Sequence, residues 1–157
     1  MATDNPSFAE LVPGTATLQG TEHYADKFTE LHPTHFRLCQ SLILSSIGLG
    51  TYLGEATDSA DADYTQSIIK AIGAGCNVID TAINYRFQRS ERAIGKALRQ
   101  LFSNGFSREE IVVCSKGGFI SYNGNYPADP YGWVEENLID KGVVTPDEIH
   151  PSGHCMP

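Results

Sequence analysis

The sequence predicts an α/β domain in which short parallel strands alternate with amphipathic helices. Three apolar runs, at residues 47–53, 78–81 and 111–116, have the length of buried strands. Between them lie two stretches of helical period. One is built on Tyr64, Ile68, Ala71 and Ile72, the other on Ala93, Ile94, Ala97, Leu98, Leu101 and Phe102. Gly73 and Gly75, and later Asn104 and Gly105, stop each helix before the next strand. Connections of this length favour parallel neighbours and right-handed crossovers.

The elements follow in chain order. Residues 1–34 read as an N-terminal extension, rich in Thr, Pro, Gly and Ala at its start. Tyr24, Phe28 and Leu31 fall at i, i+4 and i+7, which predicts a short helix over residues 21–31, ended by Pro33. Residues 35–44 (HFRLCQSLIL) read as a strand or hairpin. Gly48 and Gly50 in the next apolar run mark a strand end that something approaches closely. Asp58, Ser59 and Asp61 are candidates to cap the first crossover helix, and Ser90 the second, with Glu91 favoured in its first turn. Beyond Lys116 the alternation breaks. Residues 117–130 are dense in turn formers, residues 131–139 can form one short helix, and residues 141–157 read as loop. The remainder, residues 35–157, therefore carries the α/β pattern only in its first part.

Bulk properties exclude several classes. With 11 Lys+Arg against 19 Asp+Glu the net charge is -8, and no basic run stands out, so nucleic acid and anionic membranes are unfavoured partners. No apolar stretch approaches the roughly 20 residues of a membrane span, and no secretory leader is visible. Cys39, Cys76, Cys114 and Cys155 are scattered, which reads as reduced thiols in a cytoplasmic protein.

Three constellations could carry chemistry. The first is an acid, a phenol and an amine. Asp80 ends one apolar run, Tyr85 follows in the turn, and Lys116 closes the next run. In a parallel sheet such strand ends share one face. An ammonium near a phenol favours the phenolate, and a carboxylate keeps the ammonium charged and fixed. Tyr85 could then act as general acid for the oxygen of a carbonyl being reduced. The plainer alternative is a packed loop tyrosine, a turn-capping acid and a solvated lysine. The second constellation is Gly48, Gly50 and Gly54, close to a dinucleotide fingerprint. Its third glycine would have to stand at Leu53, however, and the helix would have to open at once. The third is His150, His154 and Cys155, whose spacing suits zinc but lacks further ligands, so no metal is expected.

The motifs IDTAINYR (79–86) and QRSERAIGKAL (88–98) resemble the aldo/keto reductase family. GLGTY (48–52) is similar to that family's first barrel strand and IVVCSKGG (111–118) to its third, so the likeness covers about residues 35–118. The resemblance implies the N-terminal part of a (β/α)8 TIM barrel and NADP(H)-dependent interconversion of aldehydes or ketones with alcohols. Position by position it implies Asp80, Tyr85 and Lys116 as catalytic, with Tyr85 the proton donor. It implies Gly50, Thr51, Tyr52 and Asp80 beside the nicotinamide. The family's catalytic histidine follows a fourth strand, and its 2′-phosphate site lies on the last ones; neither matches a residue of this chain. A whole barrel takes roughly 250 residues. The expectation is therefore a barrel incomplete at its C-terminus, with about three of eight strands, inactive or nearly so by itself and prone to self-associate through uncovered sheet edges. The rival readings are a non-catalytic interaction protein and a Rossmann-type NAD-binding domain.

Overall fold

The structure is a computed structural model and describes residues 13–150. The N-terminal extension's first twelve residues, and His154 and Cys155 of the zinc-like trio, lie outside the described residues.

Helix α1 (Leu18–Asp26) is capped by Thr17, whose hydroxyl accepts from the Gly20 amide at 3.0 Å. It opens three residues earlier than its apolar period predicts and ends at Asp26, after which turns carry Phe28 and Leu31. A β-carbon on Gly20 would lie 2.4 Å from the Glu109 carbonyl oxygen, so glycine is what lets α1 approach that backbone. Strands β1 (Phe36–Cys39) and β2 (Leu42–Ser45) form the antiparallel hairpin, with Cys39 opposite Leu42. Its turn residues, Gln40 and Ser41, both take left-handed φ (48° and 63°), the demand of a tight hairpin turn met without glycine or asparagine.

The main sheet has three parallel strands in the order β3 (Leu49–Gly50), β4 (Val78–Asp80), β5 (Val112–Cys114). Helices α2 (Asp58–Gly73) and α3 (Arg89–Ser103) join them and pack on each other. The strands are shorter than the apolar runs that announced them. The core is built from Tyr24, Ile68, Ile72, Ile79, Ile94, Ala97, Leu101 and Ile111. Both predicted helical faces are thus the buried ones. The caps differ from expectation. Thr57, not Asp58, Ser59 or Asp61, caps α2, accepting from the Ala60 amide. Ser90 does not cap α3; Gln88 precedes that helix in a left-handed conformation, and Ser90 lies buried inside the first turn. Residues 131–139 split into α4 (Pro130–Val134) and a π-helical stretch (Glu135–Ile139).

The hairpin and α1 close the end of the sheet where its strands begin. Asn77, fully buried just before β4, accepts from the Ser45 amide and donates to the Ile43 carbonyl, each at 2.9 Å. Buried Glu110, just before β5, accepts from Lys27 at 2.5 Å and from His23 at 2.9 Å on α1's side. Among the described residues no helix is long and apolar enough to cross a membrane.

Tyr24 yields a pH prediction. Its hydroxyl donates to the Ile72 carbonyl, and burial pushes its pKa up, with Cys76 and Glu110 adding to the rise. The unfolded chain ionises this phenol near pH 10, whereas the fold holds it protonated. Stability from this group is therefore full below about pH 10 and falls as the pH rises beyond it. Tyr24→Phe is expected to cost about 1 kcal/mol at neutral pH and to flatten the alkaline fall, measured as urea midpoints from pH 8 to 11.

Candidate active site

At the other end of the sheet Gly50, Asp80 and Cys114 stand side by side in register across β3, β4 and β5. The ladder runs a step past the strands. The Thr51 amide donates to the Asp80 carbonyl at 3.0 Å, Thr81 to Cys114 at 2.8 Å, and Ile83 to Lys116 at 3.1 Å. This extra step aligns the segments that carry Tyr52, Tyr85 and Lys116.

The Lys116 ammonium donates to both Asp80 carboxylate oxygens, at 2.8 and 3.0 Å, and to the Thr81 carbonyl at 2.7 Å. It also sits 5.0 Å from the centre of the Tyr85 ring. Its pKa is raised, chiefly by the hydrogen bond to Asp80 and further by contact with Tyr85, so the amine stays charged. Both members of the ion pair are half exposed, and a pair so wetted is worth little to stability. What the pair does create is a fixed positive charge beside a phenol. Tyr52 meets Tyr85 edge-on, with ring centres 5.0 Å apart, and is itself exposed.

The predicted residues thus divide. Asp80, Tyr85 and Lys116 come together, with Tyr52 against Tyr85. Gly50 opens to free space, since a β-carbon there would meet nothing within 4 Å. Thr51 is fully buried behind the site; its hydroxyl donates to the Asp80 carbonyl at 3.1 Å, and its own carbonyl accepts from Ser90 at 2.7 Å. It holds Asp80's backbone rather than presenting a side chain. The open glycine, the exposed aromatic ring and the half-exposed acid fit the flat reacting end of a nicotinamide. The glycine loop is not a phosphate cradle. A stretch of coil separates Gly50 from α2, and that helix carries Asp58 and Asp61 in its first turn, where they oppose an anion.

Sequence reasoning missed Arg86. Arg86, Phe87 and Gln88 all have left-handed φ, 50°, 58° and 71°, directly after Tyr85. Each non-glycine residue so placed costs about 1–2 kcal/mol. Arg86 is buried, its guanidinium donating to the Glu55 carbonyl at 2.8 and 3.0 Å and to Asp61 at 2.6 Å. Consecutive left-handed residues have no period or composition to betray them. A cavity of about 670 Å3, lined by Tyr122, Tyr126, Tyr131, Ile139 and His150 among others, lies apart, and none of Asp80, Tyr85 and Lys116 lines it. Chemistry, not cavity size, marks the site.

Comparison with known proteins bears on this arrangement. The profile of the aldo/keto reductase family matches residues 46–144. The NADH-specific methylglyoxal reductase of Escherichia coli is 37% identical over 84 residues, which are 50% of this chain and 24% of that protein. A candidate voltage-gated potassium channel β subunit of Schizosaccharomyces pombe is 32% identical over 97 residues, 61% of this chain and 26% of that protein. A solved structure of a candidate aldo/keto reductase from Pseudomonas aeruginosa aligns with 73% of this chain and 43% of its own, at 33% identity and a TM-score of 0.43. The chain spans about a quarter of the length of these two curated relatives. The matched segment runs from just before β3 to just past the Glu135–Ile139 stretch and so contains every residue of the Asp80–Tyr85–Lys116 cluster: the chain belongs to the aldo/keto reductase family.

Proposed function

We propose that this chain carries the reacting centre of an NADP(H)-dependent oxidoreductase that reduces aldehydes or ketones to alcohols. The observation that carries the reading is the Lys116 ammonium, held by Asp80 and set against the Tyr85 ring. The Tyr85 hydroxyl gives its proton to the carbonyl oxygen as that oxygen gains negative charge. Lys116 stabilises the phenolate left behind. Asp80 keeps Lys116 charged and in place, and Tyr52 walls one side of the Tyr85 ring. The nicotinamide, when bound at the open end of β3 beside Gly50, supplies the hydride. Free Cys39, Cys76 and Cys114 are in keeping with a cytoplasmic setting.

For the 157-residue chain assayed by itself we expect little turnover. Among the described residues His23, His32 and His35 bond elsewhere, to Glu110, Thr34 and the Gly75 carbonyl, and His150 lines the separate cavity. The test has two arms. Calorimetry with NADPH and NADH asks whether the reacting end binds a nicotinamide and which one. The NADH-specific relative makes that comparison necessary. Oxidation of either cofactor with small aldehydes then reads turnover. Binding of neither cofactor would leave the alternative of a non-catalytic interaction protein, which the likeness to the channel subunit supports.

Among the described residues the outer edges of β3 and β5 have no strand partner in the sheet. Such edges invite pairing with another chain. We expect self-association, seen as a concentration-dependent mass in sedimentation; a monomer at every concentration would count against it.

A further inference from the structure

Arg86 sits where two halves of the site meet. Its guanidinium is tied on one side to the segment between β3 and α2, through the Glu55 and Thr57 carbonyls, and to the first turn of α2 through the Asp61 carboxylate. It also stacks 4.9 Å from the centre of the Tyr64 ring, and the Tyr64 hydroxyl donates to the Leu53 carbonyl at 2.6 Å. Leu53 is the residue after Tyr52. On the backbone side, Arg86 opens the left-handed turn that directly follows Tyr85. That turn is gripped again from the loop beyond β5. The Gly124 amide donates to the Phe87 carbonyl at 2.8 Å, Gln88 donates to the Ser121 carbonyl at 3.1 Å, and the Ser121 hydroxyl donates to the Ile83 carbonyl at 2.9 Å.

A turn that the local residues disfavour persists only where its surroundings over-determine it. Here the loop beyond β5 holds Ile83, Phe87 and Gln88, and on the other side the hold passes through the Arg86 side chain. We propose that Arg86 is a positioning residue: it fixes the Tyr85 ring against the Tyr52 ring by tying Tyr85's turn to Tyr52's loop. The inference rests on the reading of Tyr85 as the proton donor. It adds that donor geometry depends on a buried arginine outside the Asp80–Tyr85–Lys116 cluster. A fork of donors is needed for this task, because Nε and Nη2 share one carbonyl while Nη2 also reaches the carboxylate.

The test uses the 157-residue chain with labelled tyrosine rings, Tyr85 and Tyr52 being assigned by Tyr85→Phe and Tyr52→Phe. The parent chain should show a ring-to-ring Overhauser contact between Tyr52 and Tyr85. Arg86→Gly suits the left-handed backbone, so it removes the guanidinium without adding strain. It should weaken that contact at least fivefold while the signals of buried Tyr24 stay unchanged. Arg86→Lys should restore part of it. An undiminished contact in folded Arg86→Gly overturns the proposal. If Arg86→Gly loses the Tyr24 signals, Asp61→Asn decides: at least a twofold weakening supports the proposal, and no change overturns it. Turnover does not enter this readout, so an inert chain still reports. A failure of Tyr85 as proton donor would instead appear in the rate of Tyr85→Phe, with the ring contacts of the parent intact.

Discussion

Replacing Tyr85 by phenylalanine is expected to slow carbonyl reduction by about 10²- to 10⁴-fold, the range that a well-placed general acid supplies. The substitution keeps the ring, and with it the edge-on contact to Tyr52. Nicotinamide binding should therefore change little, and the loss should fall on the chemical step. Single-turnover measurement, with protein in excess over reduced cofactor, makes even a slow parent rate visible. Lys116→Met should act in the same direction, because it removes the charge that stabilises the phenolate and frees Asp80 from its only ion-pair partner among the described residues. A Tyr85→Phe rate within threefold of the parent would remove the proton-donor role from Tyr85.

The second large effect concerns the fold. Leu101 is about 1% exposed and belongs to the cluster that α3 shares with α2, α1 and the sheet. Leu101→Ala should destabilise by about 2–5 kcal/mol, the usual cost of a buried leucine's cavity. Against a typical total of about 5–15 kcal/mol that is enough to unfold a fraction of the chains at body temperature. Leu38→Ala provides the contrast. Leu38 lies on β1 but is exposed, so its loss should stay within about 0.5 kcal/mol. Urea unfolding by circular dichroism measures both. Equal effects would mean that the α3 face is not the core.

Much of this arrangement was legible in the sequence because the signals were local. The 3.6 period through Ala93, Ile94, Ala97 and Leu101 is a property of fifteen residues and became the buried face of α3. Asp80, Tyr85 and Lys116 were legible because each follows an apolar run, and parallel strands carry such positions to one end. What escaped depends on partners distant in the chain. Ser90 has the chemistry of a cap, but the Thr51 carbonyl, 39 residues away, claims its hydroxyl. The cap of α2 escaped for a local reason: the helix opens at Asp58, which puts Asp58, Ser59 and Asp61 inside it and leaves Thr57 at the cap. Glu110 looks like a surface acid until α1 folds over it with Lys27. The left-handed turn at Arg86, Phe87 and Gln88 exists only because flanking segments hold it.

The buried Asn77 amide ties the hairpin to the end of the sheet opposite Asp80 and Lys116. This separation gives the molecule a handle. The Gln40–Ser41 turn belongs to the hairpin so anchored and shares no contact with the reacting groups among those described, so a linker introduced there could tether the protein to a bead or an electrode and spare the working end. Conversely, libraries that vary Tyr52 or the loop beyond Lys116 to seek new carbonyl compounds would leave the hairpin's anchorage untouched, and the two ends can be engineered in parallel rather than in compromise.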